Sequence, residues 1–235
     1  MFDVPSLLKN MSLLDRPNID PESVDRSSGR SALMHVCGLQ KPDLVKLFLD
    51  RGGVNVNRQD NTGHTALCRA AIYSCLETAK LLLDRDDTNP NIADRGGRTA
   101  LHWACSLDPK SLSIVNLPLK RDDIDPKSKE SNGETPLPCA CFLKCVPIVR
   151  SLLSHHDTDP NPIGRTGVSL LCSVITKVPP HEEIISLLRA AGASLRDEEK
   201  LCFTQMPKDD YIIESLQQFI IYLIHKNTPL GHLFI

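Results

Sequence analysis

Aromatic residues are scarce: one Trp, three Tyr and six Phe make up 4% of 235 residues. A single-core globule of this length leans on more rings, because each buries a large area. Few rings with many Leu and Ala favour thin helical layers instead. Charge bias is also missing. Lys and Arg number 27 against 29 Asp and Glu, a net −2, so no global field directs the chain to nucleic acid or anionic lipid. No stretch reaches the roughly 18 apolar residues of a membrane span; the best candidate runs only from Phe219 to Ile224. The opening MFDVPSLLKN carries an acid at position 3 and no long apolar core, so it does not read as a signal peptide. The Asn10-Met11-Ser12 sequon is then fortuitous. Nine cysteines leave one unpaired in any disulfide framework, and free thiols in a reducing compartment, cytoplasmic or nuclear, are expected.

Catalytic signatures are lacking too. There is no phosphate-binding glycine loop, no Gly-x-Ser-x-Gly and no His-Glu-x-x-His. The chain is therefore not read as an enzyme, and no cofactor or metal is assigned to it. Cys139, Cys141 and Cys145 crowd together, but a structural zinc site wants four convergent ligands. His155 and His156 close a helix, where a positive charge is favoured by the dipole. Asp and Glu fall mostly in turns and at helix starts, where solvation is expected.

What is present is a repeat. Gly29-Arg30-Ser31-Ala32-Leu33 recurs as Gly63-His64-Thr65-Ala66-Leu67, Gly97-Arg98-Thr99-Ala100-Leu101 and Gly133-Glu134-Thr135-Pro136-Leu137, with a degraded fifth copy at Gly167-Val168-Ser169-Leu170-Leu171. The glycines are spaced by 34, 34, 36 and 34 residues. Each copy has a second half with apolar residues at helical spacing, such as Ile148-Val149 with Leu152-Leu153. Pro- and Asn-rich turns such as Thr88-Asn89-Pro90-Asn91 separate the copies. Each unit reads as turn, short helix, bend, longer helix. The Ser or Thr two residues after Gly is placed to N-cap the short helix, Ala or Pro136 fits its first turn, and the following Leu enters the core. Such a unit must stack on neighbours to bury its apolar face. In this register Cys37, Cys105 and Cys141 share one position, Cys68 and Cys172 another, and Cys75 and Cys145 a third. Cysteine is used as a small buried residue.

The pattern D-x-x-G-x-T-A/P-L with Leu-rich second helices resembles the ankyrin repeat, most clearly over Asp60 to Ala70 and Asp94 to Ala104. The Asp-Pro-Asn turns are similar to those of arrays from filamentous fungi. The resemblance implies an all-α solenoid of about five helix–turn–helix repeats: 25–59, 60–93, 94–129, 130–163 and 164–196. Residues 1–24 are expected to form a truncated N-terminal cap, with its helix over 5–16. Residues 197–235 form a C-terminal segment whose Ile-rich stripe, Asp209 to His225, caps the array or binds a partner. His102 alone keeps the family's histidine after the Leu; the resemblance implies that it bonds between neighbouring repeats. The third copy's two extra residues are assigned between its helices, near Asp108-Pro109-Lys110. Pro118 lies within its second helix, where proline costs on the order of 3 kcal/mol, so a kink or early stop is expected and the third-to-fourth junction is the weak point.

Function then lies in a surface. The resemblance directs the residues flanking each Gly to the concave face, five arginines against one glutamate. The ends of the short helices add an apolar row that includes Tyr73 and Phe142, while Trp103 is assigned to the core. The expectation is a monomeric, non-enzymatic protein-interaction module, with no membrane partner, that binds an acidic or mixed segment through His64, Tyr73, Arg95 and Arg98, flanked by Arg30, Phe142 and Arg165. The alternatives are nucleic-acid or acidic-polymer binding through the Arg stripe, and self-association or docking through the C-terminal helix. The chain is also compatible with a shortened relative of a larger protein.

Overall fold

Ser and Thr at the repeat's third position set where each short helix begins. In the computed structural model, which describes residues 22–106, 112–177 and 180–205, the Ser31, Thr65 and Ser169 hydroxyls accept the backbone N–H three residues on. They start α1 (Ala32–Gly38), α3 (Ala66–Ile72) and α9 (Leu170–Ile175). Thr99 makes a capping box with His102 at the head of α5 (Ala100–Cys105). Thr135, before α7 (Pro136–Phe142), makes no such bond, since Pro138 at the receiving position has no N–H. Each short helix is followed by a helix of the second layer, the longer of the two except in the third repeat: α2 (Pro42–Arg51), α4 (Leu76–Leu83), α6 (Leu112–Asn116), α8 (Val146–Ser154) and α10 (Glu182–Ala190).

The two layers follow from which faces are apolar. Short helices pack on successive short helices and long ones on long. The recurrent Leu33, Leu67, Leu101, Leu137 and Leu171 are buried in one row, and Leu82, Val115, Ile148, Leu152 and Leu188 fill the space between layers. Among the described residues, seven cysteines are buried free thiols, as the repeat register predicts for the positions it aligns, and Cys139 is half-buried. Burial pushes the Cys141 thiol up to about 12, which keeps it protonated and unreactive. Two isolated bridges occur, and no strand is present among the described residues.

The third repeat departs where its sequence does. α6 ends at Asn116 and a 3-10 turn follows over Pro118–Lys120, so the proline stops the helix. The insertion expected near Asp108-Pro109-Lys110 lies outside the described residues. At the far end the structure adds α11 (Asp197–Gln205), a helix the sequence reading did not anticipate. The expected cap helices over 5–16 and 209–225 lie outside the described residues.

Two ladders stitch the long-helix turns and the finger turns to their neighbours. In the first, the Asn57 amide donates to Asp87 C=O and accepts from Asn89 N–H. Asn91 does the same with Asp123 and Asp125, and Asn161 with Gly192 and Ser194. Lys127 holds this position in the third repeat and reaches only Asp157, 3.5 Å away. In the second ladder, Asn61, Arg95 and Ser131 donate backbone N–H to Ser28, Thr62 and Gly96 at 2.8–3.1 Å. This close stacking explains Gly63: its φ is +84°, and a Cβ there would lie 2.6 Å from Arg95 N.

Candidate binding surface on the finger face

The finger acids organise this face. Asp60 Oδ1 accepts the Thr62 and His64 N–H groups and the Thr62 hydroxyl, and Oδ2 accepts Arg69 Nη2 at 2.5 Å with Arg30 Nε at 3.6 Å. Burial works to raise the Asp60 pKa. The Thr62 hydroxyl and Arg69 guanidinium outweigh it and hold the carboxyl well below the usual range. Asp94 repeats the device with different donors. Trp103 Nε1 donates at 3.0 Å, Arg98 Nε lies at 3.4 Å, and His64 Nε2 reaches across from the preceding finger at 3.4 Å. Arg98 also covers the Trp103 ring at 3.7 Å, and His64 meets it edge-on at 5.3 Å.

These contacts revise the expected stripe of five free arginines. Asp60 and Asp94 are buried, not solvated, and they tie down Arg30, His64 and Arg98. Trp103 is half-buried and serves the finger as well as the core. Arg26, Arg95 and Arg165 remain exposed at the tips, with no ion-pair partner among the described residues.

Behind the tips runs an apolar row at the ends of the short helices. Leu39, Tyr73, Phe142 and Leu143 are each 40–49% exposed. Gln40, Ser74 and Lys144 adopt φ of 53–58° immediately after or within this row, turning the chain sharply and leaving the apolar side chains outside. Gln40 Nε2 donates to Tyr73 C=O, so the first two turns are joined. Of the sequence-based candidates, Tyr73, Arg95, Phe142 and Arg165 thus present themselves outward, while Arg30, His64 and Arg98 buttress the fingers.

His102 is buried, and its ring spans two repeats. Nε2 lies 3.2 Å from Glu134 C=O, and Nδ1 accepts the Thr99 N–H at 3.2 Å. Only the neutral ring protonated on Nε2 satisfies both. Burial lowers its pKa, with the Glu134 carbonyl opposing, and burial lowers that of His64 as well. Elsewhere, the ligand-type atoms of His155, His156 and Asp157 come within 4.8 Å of one another on the turn after α8. Asp157 there is engaged by His156 at 2.9 Å and by Lys127.

Comparisons place this geometry. The family profile described as ankyrin repeats (3 copies) matches residues 5–94 and 87–163. The solved ankyrin repeat domain of Bcl-3, described as a unique member of the IkappaB protein family, superposes with a TM-score of 0.62 at 26% identity. The match covers 73% of this chain and 72% of that one. Among curated proteins, none matches the sequence. With its repeats matched over more than half of its length and its fold shared with a solved member, the chain belongs to the ankyrin-repeat family.

Proposed function

We propose that the array is a non-enzymatic binding module that holds another protein across its concave finger face, with Tyr73, Phe142, Arg95 and Arg165 as contacts. Ankyrin repeats are protein-interaction modules in general, and no helix among the described residues is long and apolar enough to cross a membrane. The observation that carries the reading is the row of exposed Leu39, Tyr73, Phe142 and Leu143 beside the unpaired cations Arg26, Arg95 and Arg165. Aromatic and arginine side chains concentrate binding energy when they become desolvated. The polarity of the molecule supports an acidic or mixed partner. Exposed carboxylates such as Asp43, Glu77, Asp84, Asp86 and Asp122 belong to the long-helix side, leaving the finger tips cationic. Because Asp60 and Asp94 fix the fingers beforehand, little ordering entropy is lost on binding.

Crosslinked pull-down from the native extract, wild type against Tyr73→Ala/Arg95→Glu with unchanged circular dichroism, tests the reading. A protein retained by wild type and lost by the variant is the expected result, with a deficit of at least about 2 kcal/mol, roughly thirtyfold, in a later titration. The same protein retained by both would place binding elsewhere. Capture of nucleic acid, with affinity falling steeply in salt, would replace the reading with the electrostatic one.

A further inference from the structure

The finger ladder stops between the fourth and fifth repeats. Its next rung would join Arg165 N–H to Asn132 C=O, and neither group has a hydrogen-bond partner among the described residues. The side-chain tie is absent at this junction too: it joins the first three fingers, while Arg98 turns back to Asp94 on its own finger. Arg30 and His64 each reach an acid on the following finger, Asp60 and Asp94. The corresponding residues on the fourth and fifth fingers are Glu134 and Gly164, so both halves of the tie are missing. The space is open: a Cβ on Gly133 meets nothing within 4 Å, whereas one on Gly97 would lie 2.9 Å from Glu130 Cα.

The fourth and fifth repeats carry exposed apolar and cationic side chains on the short-helix side of this opening. Phe142 and Leu143 are exposed at the end of α7, and Lys177 Nζ lies 5.4 Å above the Phe142 ring. Lys144, after α7, and Arg165, on the fifth finger, are exposed, and Ile163, on the first arm of the fifth finger, is 45% exposed. The carboxylates of the fourth finger, Glu130 and Glu134, are half-buried. Burial and the Glu130 charge both raise Glu134 toward its neutral form.

We infer that the opening between the fourth and fifth fingers is the docking cleft for an extended, acidic segment of a partner protein that carries an apolar anchor. The inference rests on the finger face being the binding face and names the partner's chemistry there. An extended backbone supplies the missing rung, its C=O accepting the Arg165 N–H and its N–H donating to Asn132 C=O, as in strand addition. The anchor covers Phe142, and flanking carboxylates meet Arg165 and Lys177. Glu134, with Glu130 behind it, opposes such a ligand.

The test is panning a phage-displayed random-peptide library on the full chain, followed by polarisation titrations of fluorophore-labelled selected peptides. Selected peptides should place Asp or Glu beside Leu, Ile or Phe. Phe142→Ala/Arg165→Glu should weaken them by roughly tenfold or more, since aromatic and arginine contacts concentrate binding energy. Glu134→Gln should tighten them. All variants must keep the wild-type thermal melt. Basic or neutral peptides, no selected peptide, or an unchanged affinity for Glu134→Gln would each overturn the inference. Binding that depends on Tyr73 and Arg95 but not on Phe142 and Arg165 would reject the cleft and keep the finger-face reading. Indifference to both pairs would reject both.

Discussion

Asp60 occupies the smallest scale at which this protein can be broken. Its carboxylate serves Thr62 and His64 on its own finger, Arg69 on the helix behind and Arg30 on the finger before. Arg69 is 5% exposed and cannot shed its charge. Asp60→Ala leaves that cation buried and unpaired, so we expect a loss of about 3–5 kcal/mol in urea unfolding. A loss below about 1 kcal/mol would show that water reaches Arg69. The two lowered histidines set a pH dependence of definite sign. His64 and His102 bind protons more weakly in the folded state than at the ordinary 6.5, so the unfolded chain takes up more protons as the pH falls past 6.5. Stability is full above that value and declines below it. The melting temperature should therefore drop from pH 7.5 to 5.5, where carboxylates contribute little. The drop should shrink in His64→Asn/His102→Asn, although that variant is less stable throughout. An equal drop in the variant would assign the dependence elsewhere.

At the scale of the element, the third repeat is where sequence and packing both weaken. α6 has five residues, Pro118 ends it, and the asparagine ladder is interrupted at Lys127. Asn57, Asn91 and Asn161 each bridge to the following turn with two hydrogen bonds. Lys127→Asn supplies an amide with the same two functions. It should raise stability by about 1 kcal/mol, since a net hydrogen bond contributes about 0.5–1.5 kcal/mol and a weak exposed ion pair is given up. Denaturation of the single variant is the measurement; a stability equal to or below wild type would show that the third and fourth turns stand too far apart to be bridged.

For the whole molecule, stability runs from neighbour to neighbour, so the ends matter. α11 closes the described array through Glu199, which is buried and accepts both the Ser169 N–H at 2.8 Å and its hydroxyl at 2.7 Å, together with the Arg196 N–H. Glu199→Ala removes the acceptor for three donors and should lower the opening free energy of the fifth repeat by about 2 kcal/mol. Hydrogen exchange resolved by repeat reads this directly: protection should fall in α9 and α10 first and remain in α3 and α5. Uniform loss across the array would mean that the repeats unfold as one unit. The finger opening between repeats four and five lies beside this same end.

The glycine register alone determined the two-layer array, because a unit of one short and one long helix has no other way to bury Leu33, Leu67 and Leu101 than stacking. It also determined the burial of the cysteines, the caps at Ser31, Thr65 and Ser169, and the stop at Pro118, all of which depend on chemistry within a few residues. What only the tertiary structure decided was pairing across about 34 positions of sequence. Within one repeat, Asp60 reads in the sequence as a solvated turn acid; folding buries it against Arg69, nine positions on, at 2.5 Å. Asp197–Gln205 shows no apolar stripe, so nothing local announced that Glu199 would be buried by a contact 30 residues away. Which finger arginines pair with a buried acid was decided the same way, since a side chain's partners depend on the neighbours that folding places around it.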